Sequence, residues 1–253
     1  MKAAASKLSL LLAVLAAAVL PATAQYTSPI ARGARSGAMG GSLFYEAGKN
    51  GLAADYRSGY LLAAMGERGV RVQVVTGSIG TAMAAYSHCG NAVWHEQQVL
   101  LLYGMQASSW LHAAVAARWL HRGVDDAHYE SHQWLAPSLL LQATLPGVTL
   151  TLVGGTRPWD AVRPWRWHMQ AAYSPSRQWT AVAEWEGEER SRLRAGVEYV
   201  YADSWMLRAG VATHPVVMTF GLGFCHGALR IDLAAEVHSL LGITPQTSIA
   251  LWF

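Results

Sequence analysis

Toward the C-terminus of this chain, apolar and polar residues change places at every step. In Ser191–Tyr201, Leu193, Ala195, Val197, Tyr199 and Tyr201 fall on one side, and Arg192, Arg194, Gly196 and Glu198 on the other. In Ser204–Ala212, Trp205, Leu207, Ala209 and Val211 oppose Met206, Arg208 and Gly210. In Ala228–His238, Leu229, Ile231, Leu233, Ala235 and Val237 oppose Arg230, Asp232, Glu236 and His238. The chain ends with Ile249, Leu251 and Phe253 on one side. A period of two places successive side chains on opposite faces of a strand. Counted back from the end, the predicted strands are 245–253, 228–238, 216–224, 204–212, 191–200, 178–186, 165–174, 147–155, 132–143, 109–121, 93–104, 79–87, 69–76 and 58–65. That count is fourteen, with twelve as the nearest alternative.

Every charge in these C-terminal strands stays on one face. A surface turned toward lipid requires this, because an arginine at mid-bilayer costs about 2–4 kcal/mol. The fold class expected is all-β: a transmembrane antiparallel barrel with apolar residues outward. A soluble β-sandwich also alternates. Long strands, eleven Trp, ten Tyr and a final aromatic, Phe253, favour the barrel, whose two interfaces take aromatic girdles. An aromatic at the end of an amphipathic strand resembles the C-terminal signature of outer-membrane barrels, which implies that Phe253 is an assembly signal for the barrel assembly machinery.

Connections then alternate. Short inner turns are expected near Gly77-Ser78, Met105–Ser108, Thr144–Pro146, Pro175–Arg177, Tyr201–Asp203 and His226-Gly227. The longest connections, Arg122–Ser131, Thr156–Pro164 and Ser239–Thr244, fall on the outer side. A two-residue turn at His226-Gly227 would set Phe224 opposite Leu229, Leu222 opposite Ile231, Gly223 opposite Arg230 and Gly221 opposite Asp232. A three-residue loop at Tyr201–Asp203 would pair Gly196 with Arg208, leaving Arg208 diagonal to Glu198 and Arg194.

The beginning of the chain is different. Lys2 and Lys7 precede an apolar run, Leu8–Leu20, that ends at Pro21 and the small residues Ala22-Thr23-Ala24. The run is too short to span a bilayer and reads as a signal peptide, 1–24, cleaved before Gln25. The 19 Lys+Arg of the chain include these two lysines, so 17 basic residues beyond the leader face 16 acidic ones. That balance offers no basic stripe for nucleic acid. Residues 25–57 are rich in small side chains and are expected to form a plug in the barrel mouth, with 58–253 as the barrel. A loose periplasmic leader or an extra edge strand is the alternative.

Few residues suggest chemistry. His88, Cys89 and His95 have no strong metal-ligand spacing, and His88 and Cys89 point to opposite faces. His112, His121, His128 and His132 surround one outer loop, where solvated polar residues are ordinary. Cys89 and Cys225, the only cysteines, fall at opposite rims, too far apart to bond. Trp159, Trp165, Trp167, Arg157, Arg163 and Arg166 read as an interfacial girdle. No catalytic triad, acidic pair, cofactor motif or metal site stands out, so an enzyme is not expected. Arg194, Glu198, Arg208, Arg230, Asp232 and Glu236 are expected to form a structural charge lattice that helps fill the lumen.

The segment Gly33-Ala34-Arg35-Ser36-Gly37-Ala38-Met39-Gly40-Gly41 resembles the opening motif of FadL-like outer-membrane proteins, in particular the PorV/PorQ-type group. Asn50-Gly51-Leu52-Ala53 matches the skeleton of the motif that follows it in that group, without its proline. Leu193–Tyr199, Leu207–Pro215, Phe220–Phe224 and His238–Phe253 resemble the group's last strands; the middle of the chain has no counterpart. The resemblance implies a 14-stranded barrel in the outer membrane, with Gly37, Met39, Gly40, Gly41 and Asn50 in an N-terminal hatch. For function it implies either uptake of hydrophobic small molecules or service beside secretion-system proteins of the type IX machinery. The charged lumen inferred from the last strands leans toward the second.

Overall fold

The structure, a computed structural model, describes residues 33–42, 49–62, 65–77, 80–125, 130–157, 165–187 and 191–253. The leader expected at 1–24, the start of the hatch segment, His128, Trp159 and Arg163 lie outside them.

The strands are β1 (Gly51–Ser58), β2 (Gly66–Val75), β3 (Thr81–Gly90), β4 (Trp94–Ser108), β5 (Leu111–Val124), β6 (His132–Leu145) and β7 (Val148–Thr156). They continue as β8 (Trp165–Tyr173), β9 (Trp179–Gly187), β10 (Arg192–Tyr201), β11 (Trp205–Ala212), β12 (Val217–His226), β13 (Leu229–His238) and β14 (Gly242–Trp252). Each pairs antiparallel with the next, and β1 pairs with β14, closing the sheet into a 14-stranded barrel without edges. A five-residue helix, α1 (Ala34–Ala38), precedes the first strand.

The wall is inverted relative to a soluble protein. Leu193, Val197, Leu207, Phe220, Leu222, Leu233 and Ile249 are exposed on the outside, whereas Arg194, Glu198, Arg208 and Asp232 are buried inside. Only a lipid surround makes the first set favourable and leaves the second as the natural lining. Aromatics mark both rims of the apolar belt: Tyr56, Tyr86, Trp119 and Trp165 at one, Tyr173, Trp179, Tyr201 and Trp205 at the other. The chain is a transmembrane β-barrel.

Three expectations are corrected. The first strand is not 58–65 but Gly51–Ser58, so the barrel begins seven residues earlier than the plug boundary predicted. The small residues around Asn50 conceal a real alternation, with Leu52, Ala54 and Tyr56 outward and Ala53, Asp55 and Arg57 inward. Asn50 therefore leaves the hatch and joins the seam. Its side-chain oxygen accepts from Val75 N at 2.6 Å, and its carbonyl accepts from Phe253 N at 3.0 Å.

Second, two registers differ by two residues from those expected. The β12–β13 turn is Gly227-Ala228, with Gly227 at φ +57°, so Phe224 faces Ile231, Gly223 faces Asp232 and Gly221 faces Ala234. The β10–β11 loop is 202–204, which sets Glu198 directly opposite Arg208. A shift of two preserves which face each residue occupies, because the pleat repeats at two. Third, Met105–Ser108 continues β4, with an irregularity between Gln106 and Ser108, and the turn moves to Ser109-Trp110.

Candidate functional site: the lumen and its hatch

The hatch is built by its small residues. Helix α1 stops where Gly40 and Gly41 take φ of +74° and +80°, and Gly41 N closes back onto the Ser36 carbonyl at 2.9 Å. Ser42 donates to the Met39 carbonyl at 2.8 Å, and Ser36 donates to the Ser42 carbonyl. This knot lies against the inner face of β10–β14. Ala34 and Ala38 pack on Ala234, and Met39 is fully buried.

Glycines of the wall make the approach possible. A Cβ at Gly196 would stand 2.8 Å from Met39 Cα, and one at Gly210 2.7 Å from the Met39 carbonyl carbon. One at Gly221 would collide with Ala38 Cβ. Gly221 thus admits the hatch rather than a long polar side chain. Gly223 does make room for polar groups, since its Cβ would meet Arg208 Nη2 at 2.6 Å and Asp232 Oδ1 at 2.7 Å. Hydrogen bonds complete the docking: Gly40 N donates to Thr219 Oγ1 at 2.9 Å, and Thr219 Oγ1 donates to the Ala38 carbonyl at 2.9 Å. Arg35 grips Glu198 with two donors, Nε to Oε2 at 3.1 Å and Nη2 to Oε1 at 2.6 Å.

The six charged residues expected to form one lattice divide into three groups. Around Glu198, Arg208 Nε donates to Oε2 at 2.6 Å, Arg208 Nη1 meets Asp232 Oδ1 at 2.8 Å, and Arg230 Nε donates to Asp232 Oδ2 at 2.9 Å. Arg194 instead belongs with β8 and β9. Its Nη1 donates to Glu184 Oε1 at 2.6 Å and its Nη2 to Glu186, which Arg166 also contacts. His168 Nδ1 lies 3.2 Å from Glu184 Oε1 in the same group. Glu236 accepts from Arg57 Nη2 at 2.9 Å and from Gln246 Nε2 at 2.7 Å.

The sequence reading missed Arg35, Arg57, His168, Glu184 and Glu186, and it placed Arg157 and Arg166 in an interfacial girdle, whereas both are buried, Arg166 on the inner face of β8. The signal was present in β9, where Glu184 and Glu186 alternate with Ala183 and Trp185 as the charges do farther along. His168, Glu184 and Glu186 offer ligand atoms close enough together to hold a metal ion. Both carboxylates already meet Arg194, so this arrangement is a neutralised ion cluster and the donors are committed.

Part of the opposite wall is apolar. Met83, Leu100, Leu102, Ala114, Leu140 and Val153 form one buried cluster on the inner faces of β3–β7, with Ala85 and Ala116 packed against it. Register makes it continuous: Met83 faces Leu102, Leu102 faces Ala116, Ala114 faces Leu140, and Leu140 faces Val153. Val153 then faces His168, where the charged wall begins. The lumen therefore holds an apolar patch that the charged interior inferred from the last strands did not anticipate, although Arg118, opposite Leu100, and the Arg122–Glu96 pair share the inner face of β4 and β5 with it. The signal lay in Val99–Leu102, Ala113–Ala117 and Leu139–Leu141, where alternation fails because both faces are apolar.

Other residues fall as follows. His88 and Cys89 do point to opposite faces, and Cys89 and Cys225 are both free. Trp165 and Trp167 flank the inward Arg166 on β8. His112 and His121 lie near opposite ends of β5, on opposite faces. Phe253 is exposed beyond the end of β14.

Neither a family model nor a curated protein sequence matches this chain, so the FadL-like resemblance finds no support of that kind. Among solved structures, the chain is similar to the Acinetobacter baumannii outer membrane protein Omp33, with TM-score 0.57 at 9% identity, covering 82% of this chain and 99% of that one. It is equally similar to a TodX deltaS2S3 mutant, described as a monoaromatic hydrocarbon channel, with TM-score 0.57 at 11% identity, covering 87% and 97%. At these identities the likeness establishes the fold, that of outer-membrane β-barrels.

Proposed function

We propose that this chain is an exported outer-membrane protein that passes small hydrophobic molecules along the apolar patch of its lumen wall, with the N-terminal hatch as the gate. The observation that carries this reading is the buried apolar cluster from Met83 to Val153 on the inner faces of β3–β7, which a solute passing between hatch and wall would meet. A water-filled pore gains nothing from such a lining, whereas an apolar solute gains roughly 25 cal/mol per Å² it removes from water there. The hatch docks on the other wall, through one bidentate ion pair and two hydrogen bonds to Thr219. Its release would widen the space beside the apolar patch without breaking a strand pair. The description of TodX as a hydrocarbon channel agrees with this reading. This reading assigns no residue a catalytic role and calls for no cofactor.

A second reading, a scaffold for secretion-system proteins, is favoured by the charge groups and the hatch that fill part of the lumen. Uptake of N-phenylnaphthylamine by cells separates the two. Cells making the protein should accumulate the dye faster than cells without it. Leu102→Asn, which places an amide between Met83 and Ala116, should remove most of that gain while the barrel stays heat-modifiable on gels. No acceleration by the wild-type protein, together with a co-purifying exported protein, would overturn the transport reading in favour of the scaffold.

A further inference from the structure

On the outer surface, one region departs from the apolar belt. Register aligns Tyr56, Arg68, His88, Gln97, His121 and Gln133 in a single row across β1–β6, all on outward positions. The row next to it, toward the middle of the barrel, is Val70, Tyr86, Val99, Trp119 and Leu135. The polar row thus begins where the apolar belt and its aromatic girdle stop. It lies at the rim away from Asn50 and Phe253.

This row is also electrically distinct. Arg57, Arg71, Arg118, Arg122, Arg166, Arg192, Arg194, Arg208 and Arg230 all occupy inward positions of their strands, and among the arginines of the described strands Arg68 alone is turned outward. No described strand turns an Asp or Glu outward; Glu67 and Glu96, the nearest, face the lumen. The imidazoles gather beside Arg68. His88 and His95 stack with ring centroids 6.4 Å apart, and His95 and His121 stand 5.5 Å apart. Gly123 leaves the room for this, since a Cβ there would meet His95 Nε2 at 2.8 Å and His121 Cε1 at 3.3 Å. Trp119 stacks on His121 at 5.9 Å and donates to Gln133 Oε1 at 3.4 Å.

We propose that Arg68, His88, His95 and His121, with Gln97 and Gln133, form a binding surface for the phosphate headgroup of a lipid in the surrounding leaflet. The occupant must satisfy two adjoining surfaces. One is an apolar belt that takes acyl chains, and the other is a cluster of hydrogen-bond donors and one fixed positive charge that takes an anionic acceptor. A phosphorylated lipid joins both in one molecule, and Tyr86 and Trp119 mark the interface between them. Stacked rings such as His88 and His95 can each offer an N–H toward the headgroups, whereas closing around one metal ion would require them to turn out of the stack. The proposal rests on the barrel's place in a membrane and is independent of what the lumen transports.

The test uses the folded, delipidated full barrel in detergent, titrated with dioleoylphosphatidic acid or with dioleoylglycerol, which has the same chains and no phosphate. Bound lipid is counted by native mass spectrometry. Phosphatidic acid should bind more tightly than the diacylglycerol. Arg68→Gln should weaken it about fivefold, the effect of one basic residue at an anionic surface. Substituting Gln at His88, His95 and His121 together should weaken it further, while His226→Gln at the opposite rim leaves it unchanged. Arg68 is exposed, so its single substitution keeps the test valid if the triple variant does not fold. Equal binding of the two lipids, or phosphatidic acid binding indifferent to Arg68→Gln, overturns the proposal. So does loss of Zn²⁺ quenching of tryptophan fluorescence in the histidine variant with phosphatidic acid binding intact, which would make the cluster a metal site.

Discussion

Gly196→Ala offers a way to loosen the hatch without damaging the wall. The three atoms nearest to a Cβ at this position all belong to Met39, at 2.8 to 2.9 Å. Ordinary van der Waals contact begins at 3.4 Å, so the hatch must retreat from β10 by about 0.6 Å. The hydrogen bonds that Thr219 shares with Gly40 N and the Ala38 carbonyl, both 2.9 Å, would then stretch to about 3.5 Å, where they no longer count. Two bonds of about 0.5–1.5 kcal/mol each give about 1–3 kcal/mol of lost docking. Amide hydrogen exchange in residues 33–42 should therefore accelerate about 5- to 150-fold. Exchange in β10 and β11 should stay as it was, because no wall atom is displaced. The reasoning fails if hatch exchange is unchanged, or if the two strands lose as much protection as the hatch.

Two further outcomes test the faces of the wall. Glu198→Gln and Arg208→Gln each break a buried, directly facing pair, and each should destabilise the barrel by about 3–5 kcal/mol, with the double variant less harmed than the sum; gel-shift melting of the folded form measures this. Leu207→Arg, outward and mid-belt, should cost about 2–4 kcal/mol and lower the yield of folded barrel, whereas Leu251→Arg near the rim should cost less; equal damage from both would contradict the depth assigned to them.

The sequence made the barrel legible because its constraint is local. Lipid outside and charge inside impose the alternation of Leu193 to Tyr201 residue by residue, and each strand can be read alone. Register was less accessible. Placing the β12–β13 turn at Gly227-Ala228 instead of His226-Gly227 depends on which residues take the turn, and both placements leave every side chain on its proper face. The apolar patch of the lumen was hidden for a related reason. Alternation reports a contrast between faces, so strands such as β4, with Val99–Leu102 apolar on both, give no contrast to read. The hatch contacts depend on residues far apart in sequence, such as Arg35 with Glu198, and no local pattern joins those.

The seam between β1 and β14 bears on how the barrel is assembled. Every other strand pair joins neighbours in sequence through a short connection, whereas Gly51 and Trp252 meet across nearly the whole barrel chain. Closing a loop of about 200 residues costs some 3–4 kcal/mol more entropy than closing a turn of about four. On closure entropy alone, the seam is therefore the pair expected to join last. Phe253 N and the Asn50 carbonyl, bonded at the rim, act as its clasp. The hatch is moored to β10–β14, all on one side of the seam, so an unclosed sheet can already carry the hatch in place.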